Sequence, residues 1–323
     1  MGILHAIRFA LAFNLVGALL AACGGAAQLP PSAVMSQHVV PSTPKVSRAL
    51  RFTWMATGAK ASNLLYVSNQ GSGSVYVYRW PDIKLVGQLS GFNDVAGECG
   101  DRRGDVFVVN EGDSDIVEYA HAGTSPLKTL RDPHEFPVDC SIDPTTGDLA
   151  VTNIEGFENR AGSLEIYPHS EGAPKRYLDS SISEDYFCGF DDKGNLFLDG
   201  LSDGDDFAFA ELPHGGASLI SVTLNQSVEF PGDVRWDGKH IAVGDQQTGT
   251  IYQFAISGSL GARTGVTALS NATDTVGFWI AGQKVIGANA AGNVLIWNYP
   301  AGGAAKKTLY GQDTPVGAVI SPI

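Results

Sequence analysis

A short apolar run closed by a turn residue recurs six times along this chain, and that recurrence restricts the fold more than any other feature. The runs are LYVSN at 65–69, VFVVN at 106–110, LAVTN at 149–153, LFLDG at 196–200, IAVGD at 241–245 and VIGAN at 285–289. Successive runs begin 41, 43, 47, 45 and 44 residues apart. Each ends on Asn, Asp or Gly, the residues that accept turn geometry. A second run follows each across a Gly-rich or acidic turn: VYVY at 75–78, IVEY at 116–119, LEIY at 164–167, FAF at 207–209, IYQF at 251–254 and VLIW at 294–297. Apolar and aromatic residues alternate along these, as strands require. A weaker third run comes next, such as LVGQL at 85–89 or KTL at 128–130. A fourth precedes each unit, at 95–101, 137–143, 186–191, 231–237, 275–281 and 315–321. Four strands at this period are the signature of propeller blades. A helical repeat of similar length would show an apolar period near 3.6, and none is present. The 39 glycines and 17% charged residues suit short strands and tight turns.

The fold class that follows is all-β: a six-bladed propeller of four-stranded antiparallel blades spanning 49–323. The run at 315–321 has no strands after it. It completes the sheet that begins at residue 65, so strands from the two ends of the domain close the ring and remove its open edge. The segment RFTWMAT at 51–57 is then surplus. It is either an extra edge strand or itself the inner strand of the first blade.

The start of the chain reads as a targeting segment, not as fold. Arg8 precedes an apolar stretch at 9–20 broken only by Asn14. That is too short to span a bilayer and fits a signal peptide at 1–22. The sequence LAAC at 20–23 resembles the bacterial lipobox, which implies lipidation of Cys23. The alternative is an ordinary secretory signal with an incidental cysteine. Residues 23–48, with four prolines and no apolar period, read as a flexible tether. By the same resemblance Gly24 suits an outer-membrane destination, on the periplasmic or the surface side.

The unit PVDCSIDPTTGDLAVTN at 137–153, followed by SLEIY at 163–167, resembles an NHL-type propeller repeat. The resemblance spans nearly all of 60–323 and is specific for fold. It implies relatives that are scaffolds, ligand-binding ectodomains or, in a minority, metal-dependent lactonases and lyases. Fold alone does not choose among them.

Aligning the inner strands on their turns puts Asp139 and Asp233 in one column. Glu98 joins them if its turn is one residue short, and Phe187, Gly277 and Gly317 fill the other places. Three carboxylates near the axis suit calcium or another divalent cation. The lactonase-like propellers hold a metal in this way, by resemblance. The favoured reading is that these acids face channel water and that no cofactor is bound. Cys99, Cys140 and Cys188 occupy the next column. Either all three are small buried residues, the reading we favour, or one bridge forms, with Cys140–Cys188 the preferred pair. The acidic turns at 110–115 and 199–206 lack calcium-loop spacing and read as solvated loops. No histidine stands in a recognisable nucleophile–base pattern, and the tryptophans read as packing between blades.

The formal charge of −13 excludes nucleic acid as a partner, since that binding rests on Lys and Arg neutralising phosphates. It also leaves the lipid anchor as the only attachment to a membrane. The expectation is a monomeric, non-enzymatic envelope propeller that binds a protein, peptide or small ligand on one ring face. The alternatives are a metal-dependent lactonase-like hydrolase or lyase, and a structural part of an envelope complex.

Overall fold

The structure, a computed structural model, describes residues 52–272 and 274–323. The expected signal peptide, Cys23 and the expected tether lie outside the described residues. Six sheets follow one another in chain order, antiparallel except where the short strand Thr223–Leu224 joins the fifth blade parallel to Leu260–Ala268. Their inner strands are Pro315–Ser321 for the first blade, then Val95–Gly100, Glu135–Ile142, Glu184–Phe190, Pro231–Trp236 and Thr275–Ala281. The first blade pairs Pro315–Ser321 with Leu64–Asn69, so the expected ring closure is present. The surplus segment is settled as an edge strand. Trp54–Met55 pairs with Lys84–Ser90 as the fifth, outermost strand of that blade. Gly87 admits it, because a Cβ there would sit 2.4 Å from the Met55 sulfur.

The second strands are buried along nearly their whole length, the partly exposed Glu155 and Lys284 apart. The reason is the blade interface. Alternate residues of one strand serve two interfaces: Leu64 and Tyr66 pack with Val106 and Val108 of the next blade. Leu65 and Val67 pack with Ile286 and Val294 of the last. Six such apolar clusters lie among the described residues, one at each blade junction. A period of two therefore carries core on both sides, and a one-residue slip would exchange the neighbours.

Every inner strand has a bulge at the same level, opposite the fourth or fifth residue of its second strand. Neighbouring inner strands also approach there more closely than a side chain permits. A Cβ on Gly189 would lie 2.2 Å from the Val234 carbonyl oxygen, one on Gly277 2.6 Å from that of Val316, and one on Gly97 2.7 Å from that of Val138. Glycine at these three positions is a requirement of convergence on the axis.

The backbone path defines two ring faces. The upper face carries the turns joining first to second and third to fourth strands. The lower face carries the turns joining second to third strands and the crossovers between blades. Trp54–Met55 begins at the lower rim, where Thr53 Oγ1 accepts a hydrogen bond from the Ser90 N–H.

The seam between chain ends is tied by polar contacts. His121 Nδ1 lies 2.6 Å from Ser321 Oγ, and that hydroxyl donates to the Gly104 carbonyl. The Ile323 N–H donates to Asn63 Oδ1.

Gly189→Ala is expected to lower stability by about 1–3 kcal/mol, the usual cost of overpacking, because a rigid carbonyl blocks the methyl. A lower urea midpoint at unchanged m-value checks this.

Candidate functional site

The axis of the ring is polar, buried and centred on Arg235 of the fifth inner strand. Arg235 Nε lies 2.9 Å from Asp233 Oδ1, and a terminal nitrogen lies 3.4 Å from Asp139 Oδ1. The Nε–H donates to the Phe278 carbonyl, and the other terminal nitrogen donates to the Cys140 carbonyl. The guanidinium lies 5.6 Å from the ring centre of Trp279, a cation–π distance. All of these groups but Trp279 are nearly inaccessible to solvent.

The three carboxylates expected to line the channel are here, but their positions correct that expectation. Asp139 accepts the N–H of Cys188 on the next inner strand, and Asp233 accepts that of Phe278 on the next. Glu98 instead turns back to the first blade and accepts the N–H of Ser68. The register explains the difference. Asp139 lies opposite the fourth residue of its second strand, Thr152, whereas Glu98 lies opposite the third, Val108. One step along a strand reverses the direction of the side chain. Asp199, missed in the sequence because it sits on a second strand, does similar work by accepting the Phe187 N–H. Asp139 and Asp233 thus satisfy N–H groups of the next inner strand and join blades, Glu98 satisfies one on a second strand of the preceding blade, and Asp199 satisfies one within its own blade. They are clasps and do not face channel water. Among the described residues, no three His, Cys, Asp or Glu side chains are grouped to hold a metal ion.

The same parity decides the cysteines. Cys99, next to the backward-pointing Glu98, points forward. Cys140, next to the forward-pointing Asp139, points back. They meet as a disulfide between the second and third blades, with Cα atoms 5.6 Å apart. The preferred Cys140–Cys188 pair is corrected, as is the reading of three unbridged cysteines. Cys188 lies opposite the third residue of its second strand, as Cys140 does, so the two point the same way round the ring. Cys188 is a buried free thiol packed on Ala150 and Leu164 of the third blade.

Burial sets the protonation of this centre. Desolvation pushes Glu98 up to about 8, with the Ser68 hydrogen bonds opposing. It raises Asp139 and Asp233 against the pull of Arg235, and raises Asp199 well above the carboxylate range. Burial also works against the Arg235 charge, but Asp233 and Asp139 outweigh it.

Above this centre, on the upper face, the channel opens into a depression of about 210 Å³. Its walls include Ile142, Phe190, Trp236, Trp279 and Ile280, with Arg102 and Asp192 on the rim. Trp236 and Trp279 are half-buried, so they line a cavity and are not wholly packed between blades. Trp297 is fully buried between blades, as expected. A second depression of about 280 Å³ adjoins it and shares Arg102, Ile142 and Pro144.

The two faces differ sharply in charge. The lower connections hold Asp94, Glu111, Asp113, Asp132, Glu158, Asp179, Asp203, Asp205, Asp206, Glu229, Asp274 and Asp313, and neither Lys nor Arg. The upper connections hold nine acids against Lys60, Arg102, Arg103, Lys193 and Lys239. Arg131, Arg160 and Arg176 stand on strands near the lower rim and are committed to Asp115 and Glu135. The acidic turns read from sequence at 110–115 and 199–206 both belong to this face.

The structure also makes a Ser–His contact, Ser321 with His121, that the sequence hides by placing the partners 200 residues apart. Ser321 is fully buried and hydrogen-bonded to backbone, so the pair is a seam contact and no nucleophile. Burial lowers the His121 pKa.

The raised carboxylates give pH dependence with a defined sign. In the folded chain Glu98 keeps its proton to about pH 8, whereas an unfolded Glu releases it near 4.3. Between those values the native state holds the extra proton, so stability falls as pH rises. Melting temperature is expected to drop from about pH 5 to about pH 8, and Glu98→Gln to flatten the slope. Arg235→Met is expected to cost about 3–5 kcal/mol in urea unfolding, because it strands buried carboxylates without their cation.

No protein-family model matches the chain, and no curated protein matches it. Solved structures do. A chain of the nidogen–laminin complex is 12% identical, covering 80% of this chain and 98% of that one at a TM-score of 0.66. The Cps50 (Swd1) β-propeller domain of Myceliophteria thermophila is 11% identical, covering 82% of this chain and 88% of that one at a TM-score of 0.54. At such identities the likeness is one of fold, and it agrees with the propeller seen here.

Proposed function

We propose that this chain is an NHL-like propeller, lipid-anchored through Cys23 at a bacterial envelope, that binds a partner on one ring face and catalyses no reaction. The observation that carries this reading is the commitment of the axial carboxylates. Glu98, Asp139, Asp199 and Asp233 each accept a backbone N–H that ties one strand to another, and Arg235 occupies the space between Asp139 and Asp233. A lactonase-like hydrolase needs such groups free to hold a metal and activate water. With the axis used for structure, the chemistry open to a partner lies in the loops that a rigid ring presents. The similar nidogen chain comes from a complex of two proteins, which suits a binding role.

Full-length protein is expected to give no turnover on a lactone panel with added calcium, zinc or manganese. Metal-dependent hydrolysis that disappears in Asp139→Asn would sink the reading. Cys23→Ala is expected to move the protein from the membrane to the soluble fraction of cells. Retention in the membrane would remove the anchor from the proposal.

A further inference from the structure

We propose that the lower ring face docks a Lys- or Arg-rich protein segment, with Glu111 of the second blade receiving one of its cationic side chains. This rests on the ring-face binding reading and assigns its face and its partner.

The first observation is the charge partition. The lower connections carry twelve acids and no Lys or Arg, while the upper connections mix both signs. A surface of one sign on a rigid frame builds a potential that steers an oppositely charged partner and rejects its own kind. An anionic lipid surface or a nucleic acid would be repelled.

The second observation is independent of that count. Glu111 begins the turn joining the second and third strands of the second blade, and only 7% of it is accessible. Among the described residues its carboxylate meets no hydrogen-bond donor and no cation. The charges acting on it are those of Asp94 and Glu155, both acidic. The arginines nearest this rim are engaged by Asp115 and Glu135. Burial, Asp94 and Glu155 push Glu111 up to about 8, and an arriving cation would draw it back to its ionised form. An ammonium or guanidinium entering from the lower face supplies the missing charge, and the exposed acids of the outer loops, Asp203, Asp205 and Asp206, hold the flanking cations.

The test uses the full chain in detergent and a labelled oligolysine peptide followed by fluorescence anisotropy. Three acids on each face are neutralised in separate variants. Asp203→Asn, Asp205→Asn and Asp206→Asn together are expected to weaken binding on the order of tenfold. The upper-face set, Asp82→Asn, Glu171→Gln and Asp192→Asn, removes the same charge and is expected to change it little. Glu111→Gln alone is expected to weaken binding severalfold, with thermal melts showing that each variant is folded. Binding of the wild-type chain is expected to fade as salt shortens the Debye length from about 30 Å to about 3 Å. Equal weakening by the two triple variants would show mere net charge and overturn the assignment. So would Glu111→Gln binding as wild type does, or calcium binding at Glu111 with no binding of the peptide. Those outcomes leave ring-face binding itself standing, since that reading fails on lactone turnover instead.

Discussion

Each blade of this protein is apolar on both sides, and the architecture depends on that constraint. A sheet whose second strand buries Leu64 and Tyr66 on one side and Leu65 and Val67 on the other needs a neighbour on each. A row of such sheets has two bare ends, and only closure into a ring covers both. Closure forces six inner strands toward one axis. Crowding there excludes side chains at Gly97, Gly189 and Gly277, and the strands bulge at a common level. The C-terminal strand Pro315–Ser321 is consequently part of the first blade, and His121 and Asn63 fasten it in place.

Convergence creates a second problem, which the axial carboxylates solve. The inner edges of the sheets expose N–H groups where little water can follow, and an unmet buried donor is expensive. Asp139, Asp199 and Asp233 accept such groups from inner strands, and Glu98 accepts one from a second strand. Four buried acids cannot all ionise together, and one arginine serves the centre. Burial keeps part of the set protonated, which links the stability of the ring to pH. Groups that would read as metal ligands in a list of inner-strand residues are thus spent on holding blades together. What remains for a partner is the pair of faces, one mixed in charge and hollowed by two adjoining depressions, the other with acids but no Lys or Arg in its connections.

Much of the fold was legible before any coordinates. The six apolar runs, their spacing and the orphan strand at the end gave blade number and closure, because a period of two and regular turn residues are local properties. The carboxylates and cysteines are legible as residues near the axis, but not as clasps between strands or as a bridge between Cys99 and Cys140. Column alignment treats inner strands as equivalent, yet Glu98 sits one position further along its ladder than Asp139. That single step turns its side chain to the other neighbour, and it also brings Cys99 to Cys140 in place of Cys188.

The sequence by itself determined an all-β ring of six blades with a surplus edge segment, since burial of both faces and turn chemistry are written into residue order. Only the tertiary structure decided which way each axial side chain points, which cysteines meet and how charge divides between the faces. Those depend on strand register and on loops brought together from all six blades, and no local pattern in the chain encodes either.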